Sequence, residues 1–155
     1  MKALVVYYSR TGTTRKAGKA IASELKCDVY EITSPVKRGG PIGYMKCGRE
    51  GMRKMLTKID AVKNDPAEYD IIVIGTPVWA WNMSSPVRTY LRDNKDKFKK
   101  VAFFCTMGGQ GDDKTFASMK EECGKEPVAT LALITKEVMR GNPEEKIKGF
   151  VGRLR

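Results

Sequence analysis

Ala3-Leu4-Val5-Val6-Tyr7-Tyr8 runs without interruption into Ser9-Arg10-Thr11-Gly12-Thr13-Thr14, and a helical pattern begins immediately afterwards. A short, unbroken apolar run predicts a strand covered on both faces, as in a parallel sheet. The turn that follows is rich in hydroxyls and opens a helix. It gathers unpaired backbone N–H groups, side-chain O–H donors and the positive end of a helix dipole at one point, which is what a phosphate needs. Gly12 supplies the backbone freedom and close approach that such a turn requires. Serine and threonine also cap helices, but Ser9, Thr11, Thr13 and Thr14 together exceed what one cap uses. The turn therefore reads as a phosphate cradle.

Strand and helix signals alternate outward from this segment to the end of the chain. A first helix is predicted over Thr13–Leu25, with Ala17, Ala20, Ile21 and Leu25 on one face, and a second strand over Val29–Ile32. After the Gly/Pro-rich stretch Pro35–Gly43, Met45, Met52, Met55, Leu56 and Ile59 suggest a second helix. Ile71-Ile72-Val73-Ile74-Gly75 is a third strand. Ser84/Ser85-Pro86 opens a third helix through Val87 and Leu91. Val101–Cys105 is a fourth strand, and Phe116, Met119 and Cys123 mark a fourth helix. A fifth strand spans Val128–Ile134. Asn142-Pro143-Glu144-Glu145 caps a last helix carrying Ile147, Phe150, Val151 and Leu154. Five strands, each followed by a helix, predict an α/β fold: a doubly wound five-stranded parallel sheet in a single domain, residues 1–155. Ligands of such sheets bind at the carboxyl ends of the strands. The three unusual loops, after the first, third and fourth strands, fall at those ends.

Bulk composition narrows the function classes. The 155 residues are 41% hydrophobic and 30% charged, as in a globular protein with a full core. No apolar stretch reaches the roughly 18 residues of a membrane span, and no signal-peptide core follows Met1-Lys2. A cytoplasmic protein with no membrane partner is expected. Cys27, Cys47, Cys105 and Cys123 are widely spaced and there is no histidine, so a zinc or iron–sulfur site is not expected. Without histidine, serine- or cysteine-type catalysis lacks its usual base, and reaction chemistry is better left to a bound cofactor. The 29 Lys+Arg against 18 Asp+Glu give a net charge of +11. That excess suits an acidic partner, or is simply a solvated basic surface.

The loop after the third strand, Thr76-Pro77-Val78-Trp79-Ala80-Trp81-Asn82-Met83-Ser84, holds both tryptophans of the chain. On a loop rather than in a core, such a ring can stack on a planar aromatic ligand; alternatively one indole simply covers the adjacent helix. Phosphate cradle and indoles at neighbouring strand ends together suit a phosphorylated flat heteroaromatic such as flavin mononucleotide.

The chain resembles the flavodoxin family. The resemblance rests on Ser9-Arg10-Thr11-Gly12-Thr13-Thr14, on Glu68-Tyr69-Asp70 leading into Ile71–Pro77, and on the glycine-rich loop Thr106-Met107-Gly108-Gly109-Gln110-Gly111. It implies strand order 2-1-3-4-5 and a non-covalent FMN. It places the phosphate on Ser9, Arg10, Thr11, Gly12, Thr13 and Thr14. The isoalloxazine would lie along Thr76, Pro77, Val78, Trp79, Ala80 and Trp81, with a carbonyl near Trp79–Ala80 facing N5. Thr106, Met107, Gly108, Gly109 and Gly111 would run along the pyrimidine end. Many flavodoxins carry an aromatic ring in this last loop, and this chain does not. The second flavin face is left open to a substrate, or to Tyr44, Trp81 or a second subunit.

The resemblance implies an electron-transfer protein, monomer or homodimer, with an FMN-dependent NAD(P)H or quinone reductase as the alternative. Seven basic residues between Lys37 and Lys58, led by Lys37 and Arg38, face one acid, Glu50. This segment is expected to steer an acidic redox partner. Cys47-Gly48-Arg49-Glu50-Gly51-Met52-Arg53 fits the Cys-x5-Arg pattern of low-molecular-weight tyrosine phosphatases, but lies within a predicted helix rather than after the first strand. No Gly-x-Gly-x-x-Gly is present. No aromatic-interleaved basic strand or recognition helix supports nucleic-acid binding.

Overall fold

Successive side chains of a strand point to opposite faces, and the first strand uses both. In a computed structural model describing residues 1–141 and 143–155, β1 (Ala3–Tyr7) sends Val5 and Tyr7 to one core and Leu4 and Val6 to another. It pairs in parallel with β2 (Asp28–Glu31) on one side and β3 (Ile71–Trp79) on the other. Beyond β3 come β5 (Lys100–Met107) and β6 (Thr130–Ile134), also parallel. The order β2-β1-β3-β5-β6 is the expected 2-1-3-4-5 once the two-residue β4 (Asn82–Met83), antiparallel to the end of β3, is left out of the count.

Helices cover both faces. α1 (Thr13–Leu25) and α6 (Glu144–Leu154) pack Ile21, Leu25, Ile147, Phe150 and Leu154 against Val5, Val73 and Phe104. α3 (Ser85–Asn94) and α4 (Asp112–Cys123) pack Val87, Leu91, Met119 and Cys123 against Val6, Ile72, Ile74 and Phe103. Each large apolar side chain so buried contributes roughly 1.5–3 kcal/mol. A short α5 (Thr135–Met139) follows β6 directly.

The second helix departs from expectation. α2 spans Gly40–Met52, beginning inside the Gly/Pro-rich stretch with a proline in its first turn. Its buried side is Gly43, Cys47, Glu50 and Gly51, while Met45 and Met52 are exposed. Met55, Leu56 and Ile59 lie beyond its end. Apolar spacing misplaced it because this helix is not held by an apolar face. On α1, Ala20 is exposed, and Gly18 and Ala22 share the buried face instead. The predicted cap at Asn142 lies outside the described residues.

Candidate functional site

The N-terminus of α1 answers whether its hydroxyls cap the helix or leave it free. Gly12 is the cap residue at φ 104°, and no side chain accepts from the first turn. Ser9 acts one step earlier, its Oγ accepting the Gly12 N–H at 3.0 Å. The first turn carries no acid. Its N–H groups therefore point outward without an intrahelical partner, beside the exposed Thr11. The Thr14 and Thr106 hydroxyls bond each other at 2.8 Å, tying this turn to the end of β5.

The tryptophan segment is a hairpin rather than a loop. β3 continues to Trp79, which pairs with Asn82, so the connection is only Ala80 and Trp81, at φ 51° and φ 63°. Two-residue hairpins favour positive φ, yet neither residue is the glycine that adopts it without strain. The turn is clamped from below. A Cβ at Gly51 would stand 2.0 Å from the Trp79 carbonyl oxygen, so α2 rests directly on this backbone. Buried Arg88 donates to Asn82 Oδ1 at 2.8 Å and pairs with Glu122 at 3.0 Å.

These loops enclose a cavity of about 430 Å³ at the carboxyl ends of β1, β3 and β5. Of the expected residues, Arg10, Thr11, Thr13, Thr14, Pro77, Val78, Trp79, Ala80, Thr106, Met107 and Gly108 line it. Ser9, Gly12, Thr76, Trp81, Gly109 and Gly111 do not. Ser9 and Gly12 shape the first turn. Thr76 is wholly buried, and its hydroxyl donates to the Pro77 carbonyl and accepts the Ser84 N–H. Gly111 caps α4 beneath Val78 and Trp81. Trp81 faces a second cavity instead. Sequence reasoning assigned no lining role to Cys47, Gly48 or Thr135; Tyr44 it named only as one candidate cover for the second flavin face. The register of α2, which carries Tyr44, Cys47 and Gly48, was the missing information. Arg10 is the only charged residue among the described lining and none is acidic, which favours an anionic ligand.

Trp79 is 7% exposed, meeting Tyr8 edge-on at 5.7 Å. It is thus both core and cavity wall, so the two readings of this indole are not exclusive.

The sequence profile described as flavodoxin matches residues 2–151. The chain belongs to the flavodoxin family. A flavoprotein of Lactobacillus acidophilus, solved in complex with FMN, is 25% identical, with a TM-score of 0.75 over 90% of this chain and 97% of that one. A protein of Bacteroides uniformis described as a flavoprotein gives 0.76 at 23% identity, covering 97% of each chain. Two-electron-reduced Megasphaera elsdenii flavodoxin gives 0.62 at 22%, covering 99% of each. No curated protein matches the sequence.

One expected surface residue is not on the surface. Arg38 is buried, its Nε and Nη2 donating to Glu50 at 3.0 and 2.9 Å, with Thr57 and Ser85 hydroxyls also in reach. Its guanidinium lies 5.8 Å from the Trp79 ring. Arg38 therefore cannot steer a partner, and reversing it to Glu would break a buried ion pair. Burial pushes the Glu50 carboxyl up, but hydrogen bonds from Arg38 and Ser85 and the charge of Arg38 outweigh it and hold the group below its ordinary value. Arg10 fastens the start of α2 to the turn before α1, donating to the Arg38 and Gly40 carbonyls at 2.8 and 3.1 Å.

The Cys47–Arg53 pattern lies on α2 and its cap. Burial raises the Cys47 thiol against the pull of Arg10 and Arg38, the opposite of an activated nucleophile. Burial likewise holds Cys105 up to about 12 and Cys27 up to about 11. Among the described residues no group of three or more His, Cys, Asp or Glu could hold a metal, and no helix is long and apolar enough to cross a membrane.

Proposed function

We propose that the protein is an FMN-binding electron carrier that exchanges electrons with an acidic redox protein in the cytoplasm. One observation carries this reading: a cavity with an uncapped helix N-terminus at one end and an indole wall at the other, with Arg10 its only charged lining residue among those described. Thr11, Thr13, Thr14 and the N–H groups of the first turn of α1 hold the phosphate. Trp79 and Val78 flank the ring system, the backbone at Trp79–Ala80 supplies polar contacts to its edge, and Met107 and Gly108 border the far end. Tyr44, 72% exposed on the cavity rim with Arg10 at 5.7 Å from its ring, covers the remaining face. Bound here, FMN supplies reversible one- and two-electron chemistry. Four free cysteines accord with a reducing compartment.

The test is the visible spectrum of the purified protein. Absorption bands near about 375 and 450 nm, the signature of bound flavin, are expected, and protein that neither carries nor takes up FMN overturns the reading. The open rim, whose β5 loop has no aromatic residue, favours a second reading, an NAD(P)H or quinone reductase. A long-wavelength band at half reduction with dithionite supports the carrier. Rapid oxidation of added NAD(P)H supports the reductase.

A further inference from the structure

α2 turns its apolar side to solvent. Ile42, Met45 and Met52 are exposed by 83%, 73% and 69%, whereas the side against the protein is glycine, cysteine and a paired glutamate. Ile42, Met45, Arg49 and Met52 recur at i, i+3, i+7 and i+10. That is one line along the helix, about 15 Å long at 1.5 Å per residue. The helix is seated instead by Arg10, by the Arg38–Glu50 pair and by Gly51 on the Trp79 carbonyl. Its outer stripe is thus not needed for folding. At the carboxyl end Met52 meets Trp81, 51% exposed, across a cavity of about 400 Å³ that Lys54 and Lys114 also line. Tyr44 and Gly48 of the same helix form the wall of the cofactor cavity. The stripe therefore lies alongside the site of electron exchange.

Charge selects the occupant. Lys46, Arg49, Arg53 and Lys54 are exposed, and the only acid between Gly40 and Lys54 is Glu50, buried against Arg38 at 2.9 Å. Glu121, at the far wall of the second cavity, is the one exposed carboxylate there. A second copy of the chain, related by a two-fold axis, would bring this positive rim against itself. An acidic surface complements it. We propose that the outer face of α2, with Trp81 at its end, is the docking surface for an acidic redox protein presenting a small apolar patch ringed by carboxylates. Methionines repack against different partners, and tryptophan and arginine are the side chains that most often carry interface energy.

This inference rests on the electron-carrier reading, and its test separates the two. The FMN-loaded protein is titrated calorimetrically with an acidic [2Fe–2S] ferredoxin as probe. Binding is expected, weakening as salt rises from about 50 to about 500 mM. Met45→Ser combined with Met52→Ser should weaken binding about tenfold or more while leaving its salt dependence intact. Arg49→Gln combined with Arg53→Gln should weaken it and flatten that dependence. None of the four residues lines the cofactor cavity, so FMN affinity should be unchanged in both variants. Wild-type protein that ignores the ferredoxin, or variants that bind it as wild type does, overturn the docking surface while leaving the carrier reading untouched. Self-association in sedimentation that the methionine variant dissolves assigns the stripe to a second copy and overturns the proposal. So does binding to anionic phospholipid vesicles in place of the ferredoxin. Failure to bind FMN at all, by contrast, overturns the carrier reading.

Discussion

Gly12 and Thr11 enter the proposed phosphate site in different ways. Gly12 sits at φ 104°, a conformation that L side chains rarely adopt, and it sets the direction of the uncapped first turn of α1. Thr11 lines the cavity directly. A hydrogen bond to a charged group is worth about 1.5–3 kcal/mol. Thr11→Ala is therefore expected to weaken FMN about tenfold or more in a fluorescence titration, while riboflavin, which lacks the phosphate, loses little. Gly12→Val should show the same bias with added strain. Equal losses for both ligands would place the phosphate elsewhere. Trp79 has the opposite signature. Trp79→Ala should lower affinity for FMN and riboflavin alike and reduce quenching of flavin emission. Unchanged emission and affinity would remove the indole from the ring site. The residue types at these positions were legible in the sequence, whereas the split between lining residues and supports was not. Thr76 looks like a donor on paper but spends its O–H on the Pro77 carbonyl, whereas Ser9 accepts the Gly12 N–H and keeps its own O–H to donate.

α2 shows how one element can be misread by its apolar spacing. Met45 and Met52 suggested the helix by their spacing, and both are exposed. What it buries is governed by close approach: a Cβ at Gly51 would lie 2.0 Å from the Trp79 oxygen, while one at Gly48 meets nothing within 4 Å. Two glycines three positions apart should consequently respond with opposite sign. Gly51→Ala is expected to destabilise the fold by about 1–3 kcal/mol, as overpacking does, and to weaken FMN by lifting α2 off the hairpin. Gly48→Ala should stabilise the apoprotein by up to about 1 kcal/mol, the helix preference for alanine. Urea denaturation of both variants measures this, and a shared sign would contradict the packing. The strands were easier to read. Runs such as Ile71–Ile74 are apolar throughout because both faces are covered; the lengths of β3 and β5 were underestimated, because each continues past its apolar run, through Thr76 and Thr106 respectively, and the last strand begins at Thr130 rather than Val128.

Across the whole molecule the net charge of +11 leaves acid stability to a few paired carboxyls. Hydrogen bonds from Arg15 hold Glu31 low against its partial burial, and Glu50 is held low by Arg38 and Ser85 despite burial. Groups depressed in the folded state stabilise it above their unfolded value, about 4.3 for Glu. They lose that contribution as pH falls through the folded value. The urea midpoint should accordingly stay level between about pH 6 and 8 and fall below about pH 4.5, with growing positive charge adding repulsion. Glu50→Gln strands the buried Arg38 and is expected to cost about 3–5 kcal/mol at neutral pH. It should also shrink the acid-dependent loss. An unchanged pH profile in this variant would remove Glu50 from the account. Of the segment Lys37–Lys58 expected to steer a partner, Arg38 is neutralised inside the protein while Lys37 is exposed.

The order of strands and helices, the glycine- and hydroxyl-bearing turn before α1 and the indole-bearing connection were determined by the sequence alone, because each is encoded locally: by continuous apolar runs, by glycine and hydroxyls before a helix, by turn residues between elements. Tertiary structure decided which tryptophan lines the cavity at the strand ends, which arginine is surface and which is core, and which way α2 turns. Those outcomes depend on contacts between residues distant in the chain, Arg10 with Gly40, Arg38 with Glu50 and Ser85, Gly51 with Trp79. No local pattern reports a pairing whose partners meet only when the sheet has assembled.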